Sequence, residues 1–213
     1  MTDDALREQL AYYRARAPEY DASLGDEITW TPPVDALRAL EPCERVLELA
    51  RGTGTWTREL VRIGNSVTAL DGAPEMLARN LAKVADPRVE YRRVDLFAWK
   101  PDGEYDLVFF AFWLSHVPPA RLPAFLDRVT RAVQPGGRVF LVDEPVGGSG
   151  FSGPTDSDDR QVRTVEDGRQ FTIVKVYYDP ATIQQEFAAR GFDPIEVVTG
   201  EAFFYLTGRR RDA

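Results

Sequence analysis

The segment Val46–Thr57, VLELARGTGTWT, decides how the rest of the chain is read. An apolar run carries an acid at Glu48 and gives way at once to Gly52 and Gly54, one residue apart. A strand that empties into a glycine turn and then opens a helix lets a ligand approach the backbone closely, because glycine has no side chain in the way. Ala50, Gly52 and Gly54 are the candidate lining of that turn. Two glycines alone are weak evidence, so the reading depends on what surrounds them.

Working outward, the next strand, SVTALD, ends in Asp71, about twenty residues past the turn, where a carboxylate can accept both hydroxyls of a ribose. Three features then separate the possible nucleotides. Thr57 stands where the third glycine of G-x-G-x-x-G would pack helix against strand over a pyrophosphate. Glu48, just before the turn, would repel a pyrophosphate but suits a cationic amino group. The segment VDLF puts Asp95 where it can accept from an adenine amino group, with the Leu96 N–H facing the ring. These features favour S-adenosylmethionine (SAM) over a nicotinamide dinucleotide.

Strand and helix patterns alternate on both sides of the turn. Leu6, Leu10 and Tyr13 share one face of an N-terminal helix over residues 5–17, which Pro18 ends. Strands follow at RVLELA, SVTALD, VEYRRVD, YDLVFFAF and RVFLVDEP, with helices between them at 56–63, 74–84 and 122–133. Near-continuous apolar strands in alternation with helices imply a parallel sheet covered on both faces. Residues 145–159 are rich in Gly, Ser, Pro and Asp and predict a mobile loop. Beyond it, Asp167-Gly168 between two alternating runs predicts a β-hairpin. Asp179-Pro180 starts a helix that stops at Gly191, and two last strands complete a sheet of about seven. The fold class is therefore α/β, Rossmann-like, with helices on both faces, in one domain spanning 1–213. Residues 1–40 form a cap or lid, and 160–178 a hairpin insertion over the substrate site.

Bulk properties narrow the partners. A chain of 213 residues, 44% hydrophobic, is long enough for one well-buried core. No apolar run approaches the roughly 20 residues needed to cross a bilayer, so a soluble, cytoplasmic protein with no membrane partner is expected. The net charge of −8 argues against nucleic acid. A lone cysteine, Cys43, allows no internal disulfide, and no cluster has metal-ligand spacing. The remaining partner class is a small-molecule substrate; the oligomeric state is not legible.

In these respects the chain resembles the class I SAM-dependent methyltransferases over nearly its whole length. The matching pieces are ELARGTGTWT, ALDGAPEML, VDLF, YDLVFFAFWLSHV and VQPGGRVFLVD. The resemblance implies SAM as cofactor and S-adenosylhomocysteine (SAH) as product. Asp71 and Gly72 would then lie at the ribose, Met76 against adenine, and Ala111 at the end of the fourth strand beside the cofactor. By the same resemblance, YYRARAPEYD puts Tyr13 and Arg16 at the SAM carboxylate and Tyr20 over the sulfonium. Plain packing of both tyrosines is the alternative. Arg51 departs from the pattern, which carries a small residue there. Its side chain either faces solvent or meets the methionine end of the cofactor.

QLAYYRARAPEYDA, FWLSHVP and VRTVEDGRQFTIVKVYY are further similar to phosphonate O-methyltransferases of the kind used in dehydrophos biosynthesis. Carried over, the hairpin offers Arg163, Arg169 and Lys175 as anion clamps, a role that suits an Arg fork and a Lys point charge. Lys175 otherwise reads as an edge-strand lysine in solvent. Trp30, with Asp26 and Glu27, departs from that likeness in a substrate-facing lid, and Trp30 and Trp113 offer stacking surfaces. His116, the only histidine, is the candidate catalytic base, or else a histidine bonded to backbone. The expected function is O-methylation of a small, phosphonate-like acid. The competing readings are a neutral aromatic or quinone-like acceptor, and a catalytically silent SAM-binding module.

Overall fold

The structure, a computed structural model, describes residues 3–23, 31–146, 155–156 and 159–212. Trp30, Asp26, Glu27 and most of the loop expected at 145–159 lie outside the described residues.

The elements run α1 (Asp3–Arg16), α2 (Thr31–Arg38), β1 (Cys43–Leu49), α3 (Thr57–Ile63), β2 (Gly64–Asp71), α4 (Pro74–Val84) and β3 (Val89–Arg93). They continue with β4 (Tyr105–Ala111), α5 (Leu122–Ala132), β5 (Val133–Asp143), β6 (Arg160–Thr164), β7 (Gln170–Val174), α6 (Pro180–Ala189), β8 (Phe192–Thr199) and β9 (Phe204–Arg210). Seven strands form one sheet in the order β3-β2-β1-β4-β5-β9-β8.

Side chains alternate across that sheet, and both faces are buried. On β1, Val46 joins a cluster with Leu37, Leu60 and Phe109, while Leu47 and Leu49 join another with Phe110, Phe125, Leu126 and Phe187. This two-sided burial is why the strands read as continuous apolar runs. α6 begins as its sequence dictates: the Asp179 carboxylate accepts from Ala181 N–H at 3.2 Å, and Pro180 takes the first turn, where no N–H is required.

The sheet is mixed, where the sequence implied a parallel one. Strands β3, β2, β1, β4 and β5 are parallel, whereas β9 runs antiparallel to β5 and β8 antiparallel to β9. The reason is the connection. β8 returns into β9 through a short turn closed by Gly200 N–H donating to Phe203 O at 2.8 Å, and a short turn can only reverse a strand.

The hairpin β6-β7 forms a separate two-stranded sheet, and its turn has Gly168 at φ +87°. α1 lies against it. The Glu8 carboxylate accepts from Thr172 N–H at 2.6 Å and the Gln9 amide oxygen from Val174 N–H at 3.0 Å. Tyr12, Val165 and Ile173 fill the space between. The N-terminal helix and the hairpin thus form one layer over the C-terminal ends of the central strands.

Candidate active site

A cavity of about 760 Å³ opens at the C-terminal ends of β1, β2 and β4, where the strand order of the sheet reverses. Ligands of open α/β sheets bind at that position, and the volume falls within the roughly 300 to 1,000 Å³ of small-molecule sites. Its floor is Ala50, Gly52, Asp71, Gly72, Asp95, Leu96 and Ala111, with Met76 to one side. Tyr13, Tyr20, Trp113 and His116 add an aromatic lining, with Trp113 packed on Phe97.

The turn after β1 is held open by its backbone. Ala50 sits at φ +53° and Gly52 at φ +54°. At the end of neighbouring β4, Phe112 also has φ +53°. Two non-glycine residues in the left-handed region at adjacent strand ends are strained, and both line the cavity. A Cβ at Gly52 would meet nothing nearer than the Tyr20 ring at 3.9 Å, so glycine leaves the backbone open to a ligand.

Asp71 joins the turns after β1 and β2. One carboxylate oxygen accepts from Gly52 N–H at 3.0 Å and the other from Ala73 N–H at 2.8 Å. Gly72 N–H adds a third backbone donor, so the carboxylate is held firmly in the turn while it faces the cavity. Burial raises its pKa, opposed by the positive charge of Arg51 and by these backbone donors. Asp95 accepts from Phe97 N–H at 2.9 Å, which fixes the turn carrying Leu96. Beside it, packed on Phe97, the indole Nε1 of Trp113 is buried without an acceptor among the described residues. A roomy cavity, an anchored carboxylate and an orphaned donor fit a nucleoside-bearing ligand.

His116 is buried and fully engaged. Its Nδ1 lies 2.7 Å from Val174 O, a group that can only accept, so Nδ1 carries the proton. Nε2 therefore accepts from the Tyr13 hydroxyl at 2.6 Å. Burial, with Lys175, Arg163 and Arg16 nearby, pushes the imidazole pKa down to about 3. Burial likewise raises Tyr13 well above the usual phenol and Tyr20 to about 12.

Other candidates stand away from the cavity. Glu48 is buried, accepts from Thr57 Oγ1 at 2.6 Å and has its pKa raised to about 8 by desolvation. Thr57 in turn accepts from the Asn80 amide at 2.8 Å, and Asn80 from Tyr91 at 3.1 Å, so Glu48 belongs to a polar network beneath the turn. Gly54, at φ +98°, faces Asn80 rather than the cavity, with 2.8 Å left for a Cβ. Arg16 donates to the Tyr12 hydroxyl and lies over the Tyr20 ring.

Arg51 faces neither solvent nor the main cavity. It turns back beneath the sheet edge, donates to Ala69 O at 3.2 Å and lies over the Tyr91 ring, 3% exposed.

On the hairpin, Arg169 pairs with Asp167 at 2.7 Å and is solvent-exposed, because its partner lies two residues away in the same turn. Lys175 is buried against Glu144 at 3.1 Å. Arg163 lies close enough for its charge to act on both Tyr13 and His116. Leu6, Gln9, Arg93, Phe97, Phe112 and Arg121 also line the cavity and carry no local motif that marks them.

A methyltransferase-domain family profile matches residues 46–137, from β1 into the start of β5. Over the whole chain the fold superposes on DhpI in complex with SAH, with TM-score 0.86, 41% identity and 100% of both chains covered. A DhpI complex with SAM and HEP matches at the same TM-score over 98% of this chain and 99% of DhpI. An uncharacterized methyltransferase of Synechocystis sp. is 36% identical over 121 residues, 56% of this chain and 55% of that protein. A demethylmenaquinone methyltransferase of Clavibacter sepedonicus is 34% identical over 125 residues, 57% of this chain and 49% of that protein. The chain spans about half the length of these curated relatives. With its glycine turn, its Asp71 anchor and this full-length likeness to a SAH- and SAM-binding structure, the chain belongs to the class I SAM-dependent methyltransferases.

Proposed function

We propose that the enzyme methylates an ionised oxygen of a small acidic acceptor of phosphonate-like chemistry. The observation that carries this reading is the state of His116. Both ring nitrogens are occupied and burial holds the pKa at about 3, so His116, the histidine of the described cavity wall, is not a ready base. A phenol or alcohol needs its proton removed, whereas a phosphonate or carboxylate arrives already ionised at neutral pH. Arg16, Arg163 and Lys175, from three separate elements, add a positive field on the Tyr13 and His116 corner of a chain whose net charge is −8. The likeness to DhpI, whose complex holds SAM and HEP, supports the same class of acceptor.

SAM, when bound, supplies a methyl group on cationic sulfur that an ionised oxygen attacks in line, giving a methyl ester and SAH. Asp71 would hold the ribose, with Asp95 and the Leu96 N–H toward the adenine. Tyr13, Tyr20 and Trp113 exclude water from the site. Exclusion of water favours the step, because unlike charges collapse into neutral products.

A second reading has its own support. The cavity wall is aromatic at Tyr13, Tyr20, Phe97, Phe112 and Trp113, and a demethylmenaquinone methyltransferase is among the relatives. A quinone-like acceptor would stack there. For the silent-module reading, Arg51 lies under the turn and does not line the main cavity, but it lines a small pocket beside it that shares Ala50, Gly52 and Phe112.

The deciding experiment is a labelled-methyl transfer screen across phosphonates, phosphinates, carboxylates, thiols and phenols between pH 6 and 9. Transfer to a phosphonate-like acid, with kcat/KM flat from pH 7 to 9, is the expected result. Transfer to phenols or quinols alone, rising with pH, overturns the proposal.

A further inference from the structure

The proton of the Tyr13 hydroxyl is already committed. His116 Nδ1 lies 2.7 Å from the Val174 carbonyl oxygen, which can only accept, so the ring proton sits on Nδ1. A second ring proton is opposed by the surroundings, since Lys175, Arg163 and Arg16, which act on the imidazole, are all positive. Nε2 is therefore a bare acceptor, and the Tyr13 hydroxyl at 2.6 Å donates to it. A phenol has one proton. In every other direction the Tyr13 oxygen offers lone pairs alone, and among the described residues no group donates to them.

Neighbouring groups hold this arrangement in place. Val174 N–H donates to the Gln9 amide oxygen at 3.0 Å, and Gln9 Nε2 reaches back to His116 O at 3.4 Å. The Tyr13 and His116 rings meet edge-on with centroids 5.4 Å apart, and both line the cavity. Tyr13 also packs against Ala73 and Met76, just past Asp71, so it spans from the turn after β2 to the turn after β4.

An oxygen confined to accepting repels a carboxylate and draws a cation or a polarised C–H or N–H. From this geometry we infer that Tyr13 meets the sulfonium methyl of SAM and not its carboxylate, with His116 as the positioning residue that keeps the Tyr13 lone pairs free for the cofactor. Asp71 would hold the ribose, and the sulfur is joined to the ribose through a single carbon. The sulfonium thus comes within the span of Tyr13 before the ammonium or the carboxylate does. The pair thereby tells SAM, cationic at that point, from SAH, whose sulfur is neutral.

Calorimetry with SAM, SAH and sinefungin, which carries an amine in place of the methylated sulfur, tests this. Tyr13→Phe keeps the ring and removes the oxygen. It should weaken SAM by about threefold to tenfold, as for a C–H···O contact strengthened by positive charge, and sinefungin by about tenfold or more. SAH, which offers the oxygen no donor at sulfur, should stay within about twofold of wild type. His116→Phe, which frees the Tyr13 proton to turn, should narrow the gap between sinefungin and SAH by about threefold or more. In the wild type, the nitrogen-15 signals of the single histidine should show Nδ1 protonated and Nε2 bare, with and without SAM.

Equal weakening of all three ligands by Tyr13→Phe would put Tyr13 at the methionine tail, and no change in any would remove it from the cofactor; either result overturns the inference. An unchanged gap in His116→Phe overturns the positioning role. A wild-type ring with its proton on Nε2 overturns both, and that measurement needs no variant. No methyl acceptor enters these experiments, so their failure and the failure of the phosphonate-like reading are separate results.

Discussion

At the scale of single residues, Asp71 and His116 set what the cavity can bind and when. Asp71 presents two backbone-anchored oxygens, and Asp71→Ala removes a charged acceptor from the ribose while loosening Gly52 and Ala73. SAH affinity should fall by about 2 to 3 kcal/mol, the range for hydrogen bonds to a charged group, and calorimetry would read it. Unchanged affinity would remove Asp71 from the site. His116 has a folded-state pKa of about 3, well below its ordinary value. The unfolded chain therefore takes up the proton first, and stability present above about pH 6.5 is lost as pH falls. Between pH 7.5 and pH 5 the loss assignable to His116 is about 2 kcal/mol. Urea unfolding at the two pH values should show this extra slope in the wild type and its absence in His116→Gln.

At the scale of elements, the glycine turn and the hairpin show why neighbouring residues have unlike roles. Gly52 opens toward ligand, whereas Gly54 opens toward α4, where a Cβ would lie 2.8 Å from Asn80 Cγ and 3.0 Å from Val84 Cγ2. Asn80 is pinned by Thr57 and Tyr91 and cannot yield. Gly54→Ala should therefore destabilise the fold by about 2 to 4 kcal/mol, through overpacking and a positive φ. SAH affinity measured on folded protein should change by less than about tenfold, whereas a variant of wild-type stability with no SAH binding would put Gly54 at the ligand. On the hairpin, Arg169 is spent on its own turn. Since exposed pairs of this kind contribute little to stability, Arg169→Ala should leave Tm within about 4 °C of wild type. With an acceptor in hand, a large rise in KM for this variant would return the residue to the site.

At the scale of the whole molecule, α1 and the hairpin form one layer that closes the cavity over the ends of the central strands, so cofactor binding is linked to the stability of the fold. A ligand bound only by the native state stabilises it by about 2.7 kcal/mol at a hundredfold excess over Kd. For a chain of this length SAH should accordingly raise Tm by roughly 5 to 11 °C. Thermal scans with and without SAH would test this, and no shift would separate the cavity from the cofactor. No helix among the described residues is long and apolar enough to span a membrane.

The amino-acid sequence by itself determined the order of strands and helices, the glycine turn and its Asp71 partner, because these depend on local patterns and on strand ends that the fold gathers at one edge. Ala50, Gly72, Met76, Asp95, Leu96, Ala111, Trp113 and His116 line the cavity for that reason, whereas Tyr13 and Tyr20 come to it with the N-terminal segment. Tertiary structure decided the rest. Burial and non-local partners do not appear in a linear pattern: Lys175 finds Glu144 from 31 positions away, 175 − 144, and Arg51 turns under the sheet to Ala69 and Tyr91. Gln9 and Phe112 reach the cavity only because α1 folds across it and β4 ends in a left-handed turn. Whether a charged side chain serves the ligand or the fold is set by which partner desolvation brings within reach, and that is a property of the packed chain.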